Sequence, residues 1–206
     1  MNCPEWPQVQ VAVPSLLGQT VVALLKGKVG ASQSKERLLS VGFIRLVAKA
    51  VDEFNEGGEA VVRMRLNADL IAGVRAGSSI ENCIVTLHRA LLYLDAFKAM
   101  GVVQADGATI GLRPRDLPVR APASRNRIDA MRNAIEHMDE RLRNGDYPVG
   151  VPVGLTPYKG RLDLEGVSIE VQELAGWLQQ LAELARRIAT HGVAGRSSVQ
   201  STGPDQ

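Results

Sequence analysis

Arg132, Asn133 and His137 stand close together in the stretch SRNRIDAMRNAIEHMDERLRNG, and their side chains are of kinds that do chemistry. An imidazole exchanges a proton near neutral pH. A guanidinium carries a permanent charge and a planar fork of donors suited to anionic oxygens, and an amide both donates and accepts. The apolar residues Ile128, Met131, Ile135, Met138 and Leu142 recur at spacings of three and four, which predicts a helix with one buried stripe. At about 100° per residue, Asn133 and His137 fall roughly opposite the centre of that stripe, and Arg132 falls to its side. Asn133 and His137 are one turn apart and share a face. Ala130 and Ala134 lie beside them and leave room for another backbone to approach. The spacing therefore predicts reactive groups turned away from this helix's own core. The plain alternative is a solvated face on which Arg132 pairs with Glu136 or Asp129 and His137 is a surface residue.

The elements that must hold this helix are themselves mostly helical by pattern. Ser34 is a candidate cap for a helix running to about residue 55, with Leu38, Leu39, Val41, Ile44, Leu46, Val47, Val51 and Phe54 covering more than one face. A second helix is predicted over 59–75 on Val62, Leu66, Leu70 and Val74, stopping near Gly77. Ser78 and Glu81 fit a capping box that opens a third, reaching Met100 with Ile80, Ile84, Leu87, Leu91 and Leu94 as its stripe. A shorter helix over 14–29 is weakened by interior glycines. Residues 101–122 carry a turn signal at Asp106-Gly107 and three prolines, so they read as a long connection. The Arg132 helix follows, from Pro122–Ser124 to Asn144-Gly145. Alternation at Leu162 and Leu164, then at Val167, Ile169 and Val171, predicts a hairpin around Glu165-Gly166. The last helix covers 170–191. The fold class expected is all-α: a helical bundle of about five to six helices with a small β-hairpin insertion before the last one. Residues 1–191 read as a single domain, and 192–206, rich in Gly and Ser, as a disordered tail.

With that setting in place, Arg132-Asn133-Ala134-Ile135-Glu136-His137, read as R-N-x-x-x-H, resembles the signature of the HEPN superfamily (higher eukaryotes and prokaryotes nucleotide-binding). The longer string RNAIEHMDERL is similar to it as well. The resemblance implies a helical bundle whose motif lies on a late helix at a two-fold dimer interface. It further implies an endoribonuclease that needs no metal, in which the ribose 2′-hydroxyl attacks the neighbouring phosphate and leaves a cyclic phosphate. His137 would then exchange the proton, Arg132 would face the charge growing on the phosphoryl oxygens, and Asn133 would orient phosphate or ribose. The partners implied are RNA, a second copy docked through the motif helix, and an antitoxin or regulatory protein in a toxin–antitoxin or phage-defence setting. A HEPN-like module that binds nucleotide or protein without cutting is the other reading of the same residues.

Charge distribution bears on the RNA expectation. Arg113, Arg115, Arg120, Arg125, Arg127 and Arg132 face only Asp116 and Asp129 in their stretch, an excess able to hold a phosphate backbone. The first five are the candidate RNA-binding residues; a solvated loop accounts for them equally well.

Composition excludes several classes. The 206 residues are 45% apolar and 22% charged with a net charge of +2, enough to bury a sizeable core. No apolar run reaches the roughly 18 residues a membrane helix needs, and the opening MNCPEWPQVQVAV lacks a signal peptide's basic start, so a cytoplasmic protein with no membrane partner is expected. Cys3 and Cys83 are too few and too far apart for a disulfide framework or, alone, a zinc site. LLKGKVG lacks the spacing of a phosphate-binding loop. Neither a metal nor a cofactor is expected.

Overall fold

Apolar residues spaced for one long buried face draw the first half of the chain into two antiparallel helices. The structure, a computed structural model, describes residues 6–10, 35–99, 119, 121–147 and 154–194. Its elements are α1 (Lys35–Asn67), α2 (Leu70–Ala99), α3 (Pro122–Asn144), β1 (Thr156–Tyr158), β2 (Arg161–Leu164), β3 (Val167–Glu170) and α4 (Val171–Ala194). The fold is an all-α bundle with a small antiparallel sheet just before the last helix. Four helices stand among the described residues, against the five to six expected. The predicted helix over 14–29 and the connection over 101–118 lie outside the described residues, as does the tail from 195; α4 itself runs on to Ala194, past the expected end at 191.

The helix count falls mainly because α1 and α2 replace three predicted helices. Glycines at 57 and 58 do not interrupt α1, nor does Gly77-Ser78 open a new helix. The break comes at Ala68-Asp69. Ala68 takes a left-handed φ of 52°, and the Asp69 Oδ1 accepts the Ala72 N–H at 3.1 Å, capping α2. Val62, Leu66, Leu70 and Val74, predicted to be the buried stripe of one helix, instead straddle this break and are all exposed, Leu66 and Leu70 by 77% and 84%. Glu81, predicted to close a capping box, accepts the Leu155 N–H at 3.0 Å and so ties α2 to the approach to β1. The stripe Ile80, Ile84, Leu87, Leu91 and Leu94 is buried as the spacing predicts.

The sheet has order β1-β2-β3, one strand more than the predicted hairpin. Both turns are two residues long, Lys159-Gly160 and Glu165-Gly166, and each has positive φ at both positions. That is the turn whose twist suits an antiparallel pair, and the glycine is needed at its second position. Leu162, Leu164 and Ile169 point into the core. Chain direction then passes straight into α4, which buries Leu174, Trp177, Leu178 and Leu181 and packs along α1, while α3 packs on α2 and β3.

The cap at the hairpin tip gives a test. Asp69→Ala should lower the free energy of unfolding by about 1 kcal/mol, whereas Ser78→Ala should leave helix capping untouched. Urea denaturation of both variants reads the difference.

Candidate functional site

α3 starts with Pro122 in its first turn, where a missing N–H costs nothing. It ends at Gly145, whose left-handed φ of 75° lets the Asp146 N–H reach the Arg141 carbonyl at 2.9 Å. Both ends agree with the sequence. The buried line along it is Ser124, Ile128, Met131 and Ala134, with Ile135 packed at its edge. The predicted stripe therefore holds only in the first half. Met138 is half-exposed and Leu142 is exposed, so the last turns of α3 leave the core. Ala134 is buried in the chain's own core, while Ala130 stays exposed as expected.

Asn133 and His137 are exposed, His137 with 61% of its side chain accessible, and Arg132 is half-buried. Within one chain Arg132 and His137 each meet a carboxylate. Arg132 pairs with Glu136 one turn on and donates from its Nη1 to the Asn133 Oδ1 at 2.9 Å; its Nε is buried without a partner. The His137 Nδ1 lies 3.3 Å from the Glu140 carboxylate. The arrangement puts an imidazole, an amide and a guanidinium along one flank of α3, the guanidinium turned inward.

Two of the five candidate RNA-binding arginines are described, and both are engaged. Arg127 makes a two-pronged contact with Glu173 of α4, at 2.7 and 2.5 Å, and its guanidinium lies 5.5 Å from the centre of the Trp177 ring. The Glu173 hydrogen bonds raise its pKa further and hold it charged. Arg127 thus clamps α3 to α4. Arg125 sits 3.5 Å from Asp95 of α2 and 3.3 Å from Asp129. Arg113, Arg115 and Arg120 lie outside the described residues.

A second imidazole comes close to the motif. His88 of α2, with 16% of its side chain accessible, has its Nε2 3.4 Å from the Asp129 carboxylate. Burial holds its pKa below the ordinary value of 6.5; Asp129 and Glu136 oppose this and Arg125 and Arg132 assist it. His88, Arg125, Asp129, Arg132 and Glu136 therefore form one charged network across the α2–α3 seam. From the sequence His88 is readable only as a remote metal-ligand partner for His137, and the spacing gives it no link to Asp129. The signal it lacked was the pairing of two helices: His88 lies one turn from Ile84 and beside Leu87, so a register of α2 against α3 was needed to put it next to Asp129. Cys83 is fully buried, which pushes its thiol pKa up and leaves it a small core residue. Among the described residues no group of three or more His, Cys, Asp or Glu is placed to hold a metal, and no helix is long and apolar enough to cross a membrane.

The chain matches no family model, no curated protein and no solved structure.

Two measurements follow from this geometry. Arg127→Ala should lower stability by about 1–2 kcal/mol, and Arg127→Lys should recover little, because an ammonium cannot make the fork and stacks less well. A purely RNA-binding role would leave the unfolding curve of both variants unchanged. His88 also makes stability depend on pH. Its folded pKa lies below the unfolded 6.5, so the unfolded chain binds the extra proton; the contribution is complete above pH 6.5 and is lost as pH falls towards the folded value. His88→Gln should flatten the slope of the urea midpoint in that window.

Proposed function

We propose that the protein is a HEPN-type ribonuclease that cuts RNA without a metal at a cleft formed when two copies pair through α3. The observation that carries this reading is the outward placement of His137 and Asn133 beside exposed Ala130, on a flank that the chain's own buried line does not use. A face of that kind holds the R-N-x-x-x-H string where a second helix and a phosphodiester can both reach it. Arg132 must then be re-aimed from Glu136 towards phosphate. Breaking the Arg132–Glu136 pair costs more than the roughly 0.3–0.5 kcal/mol of an exposed i,i+4 pair, because about two-thirds of each side chain is buried. A phosphate would accept two parallel donors from the same fork and bind more strongly. In the reaction His137 takes the proton of the 2′-hydroxyl as that oxygen attacks phosphorus. The bond to the 5′-oxygen breaks, a protonated imidazole of the pair returns a proton to it, and Arg132 faces the charge on the phosphoryl oxygens. The setting in which such an enzyme works, with an antitoxin or other regulatory partner in the cytoplasm, belongs to the same proposal.

One observation favours the alternative, a HEPN-like module that binds without cutting. Glu136, Asp139 and Glu140 outnumber Arg132 on this flank, and Arg132 and His137 already have carboxylate neighbours, so the face is acidic in the single chain. Such a face suits a protein surface better than bare RNA.

Incubation with labelled RNA in the presence of a chelator separates the two. The enzyme reading expects products with cyclic phosphate ends, and loss of cleavage in both His137→Ala and Arg132→Ala with an unfolding midpoint within about 1 kcal/mol of the parent, because both side chains lie off the buried line. Intact RNA at high protein concentration favours the binding module.

A further inference from the structure

The tip of the α1–α2 hairpin carries apolar surface that the chain itself leaves bare. From Val62 through Arg75 only Ala72 is buried, and Met64 and Gly73, which meet across the pair, are half-buried. Val62, Leu66, Leu70, Ile71 and Val74 are all exposed. They are not scattered. The two helices face each other at Gly57 and Ile80 and again at Met64 and Gly73. At about 100° per residue, with the helices antiparallel, Val62, Leu70 and Val74 gather on one flank of the pair, and Leu66 and Ile71 fall at its two outer edges. Gly58 and Gly77 lie on the same flank further from the tip, and there the chain supplies its own cover: Trp6 lies across Gly58, and the Leu155 carbonyl lies beside Gly77. The apolar flank thus runs on past the segments that cover it. A contiguous exposed patch of large apolar residues marks a contact site.

Charge says what kind of surface fits. Arg63, Arg65 and Arg75 are exposed and make no ion pair among the described residues. By the same geometry Arg63 and Arg75 fall on the opposite flank, whereas Arg65 projects between Val62 and Leu70 on the apolar one. Between Ala60 and Ser79 the single carboxylate is Asp69, and it is engaged in capping α2. A bilayer is a poor match. Laying this flank on lipid would carry Arg65 below the headgroups, and entering tip-first would carry Asp69 there. An α-helix laid along the groove between α1 and α2 meets both needs. An apolar stripe at spacings of three and four covers Val62, Leu70 and Val74, and a carboxylate beside the stripe pairs with Arg65 where water is excluded. We propose that the apolar flank of the hairpin tip docks an acidic amphipathic helix of a partner protein, which lies there as the third helix of a local bundle. This contact is made by α1 and α2 and stands independently of the ribonuclease reading.

Methyl-labelled full-length protein, titrated with two synthetic helical peptides, tests it. Both peptides carry the same leucine stripe; one is flanked by glutamates and the other by lysines. The glutamate peptide should shift the methyl resonances of Val62, Leu66, Leu70, Ile71 and Val74 and bind about tenfold more tightly than the lysine peptide. Arg65→Glu should remove that preference, and Leu70→Gln should abolish the shifts at the remaining methyls. Both side chains are exposed, so the unfolding midpoints should stay at the parent value. Equal affinity of the parent for the two peptides, a preference that survives Arg65→Glu, or no shift at these methyls up to the solubility limit overturns the proposal. So do shifts that only vesicles of phosphatidylserine and phosphatidylcholine produce, which assign the flank to lipid. Shifts that appear on concentrating the protein alone assign it to a second copy and overturn the proposal as well.

Discussion

The seating of α3 governs what the rest of the molecule can do. Ile128 and Met131 are fully buried, Ala134 closes against the core, and the Arg127–Glu173 clamp fixes the helix to α4 from the other side. A helix held by so narrow a line has little freedom to roll. Rolling it by one residue, about 100°, would take Met131 into solvent and bring a charged neighbour into apolar packing, which costs several kcal/mol. The orientation of Arg132, Asn133 and His137 is therefore a consequence of packing elsewhere on the helix. The same constraint places Asp129 and Arg132 over α2, where His88 meets them.

The elements with one dominant apolar period were legible in the sequence. α3 and α4 have close to the boundaries the spacing indicates, α4 keeps its predicted face and α3 keeps it in its first half, and the Glu165-Gly166 turn is where alternation and turn chemistry put it. The hairpin of α1 and α2 was misread for a physical reason. Val62, Leu66, Leu70 and Val74 keep a spacing of four straight through Ala68-Asp69, so periodicity ran across a break that only the Asp69 cap marks. The helix expected to stop near residue 55 runs on through Gly57 and Gly58. They are close-approach positions inside α1, Gly57 against Ile80 and Gly58 against Trp6, and no periodicity signals a close approach.

The candidate site was legible in part. The outward direction of Asn133 and His137 follows from helix geometry alone and is found. Which partners the charged groups choose does not follow from it: Arg127 looked like part of a basic stretch, yet a carboxylate and an indole on α4 claim it, and Arg125 is shared between α2 and its own helix. Local sequence counts charges, whereas folding pairs them, so a basic stretch shrinks once distant carboxylates arrive. What remains is the half-buried Arg132–Glu136 pair at the seam and the exposed His137–Glu140 contact on the outer flank of α3. The exposed contact leaves His137 able to change partners, whereas Arg132 changes only when a stronger one is offered.

The proposed ribonuclease cleft requires that a second copy cover the outer flank of α3. Hydrogen exchange at the imidazole C2 position, followed by mass spectrometry from dilute to concentrated protein, reads it at the residue concerned. If two copies pair through α3, exchange at His137 slows as concentration rises while exchange at His88, already sheltered in the α2–α3 seam, stays constant. An exchange rate at His137 that is the same at every concentration would contradict it.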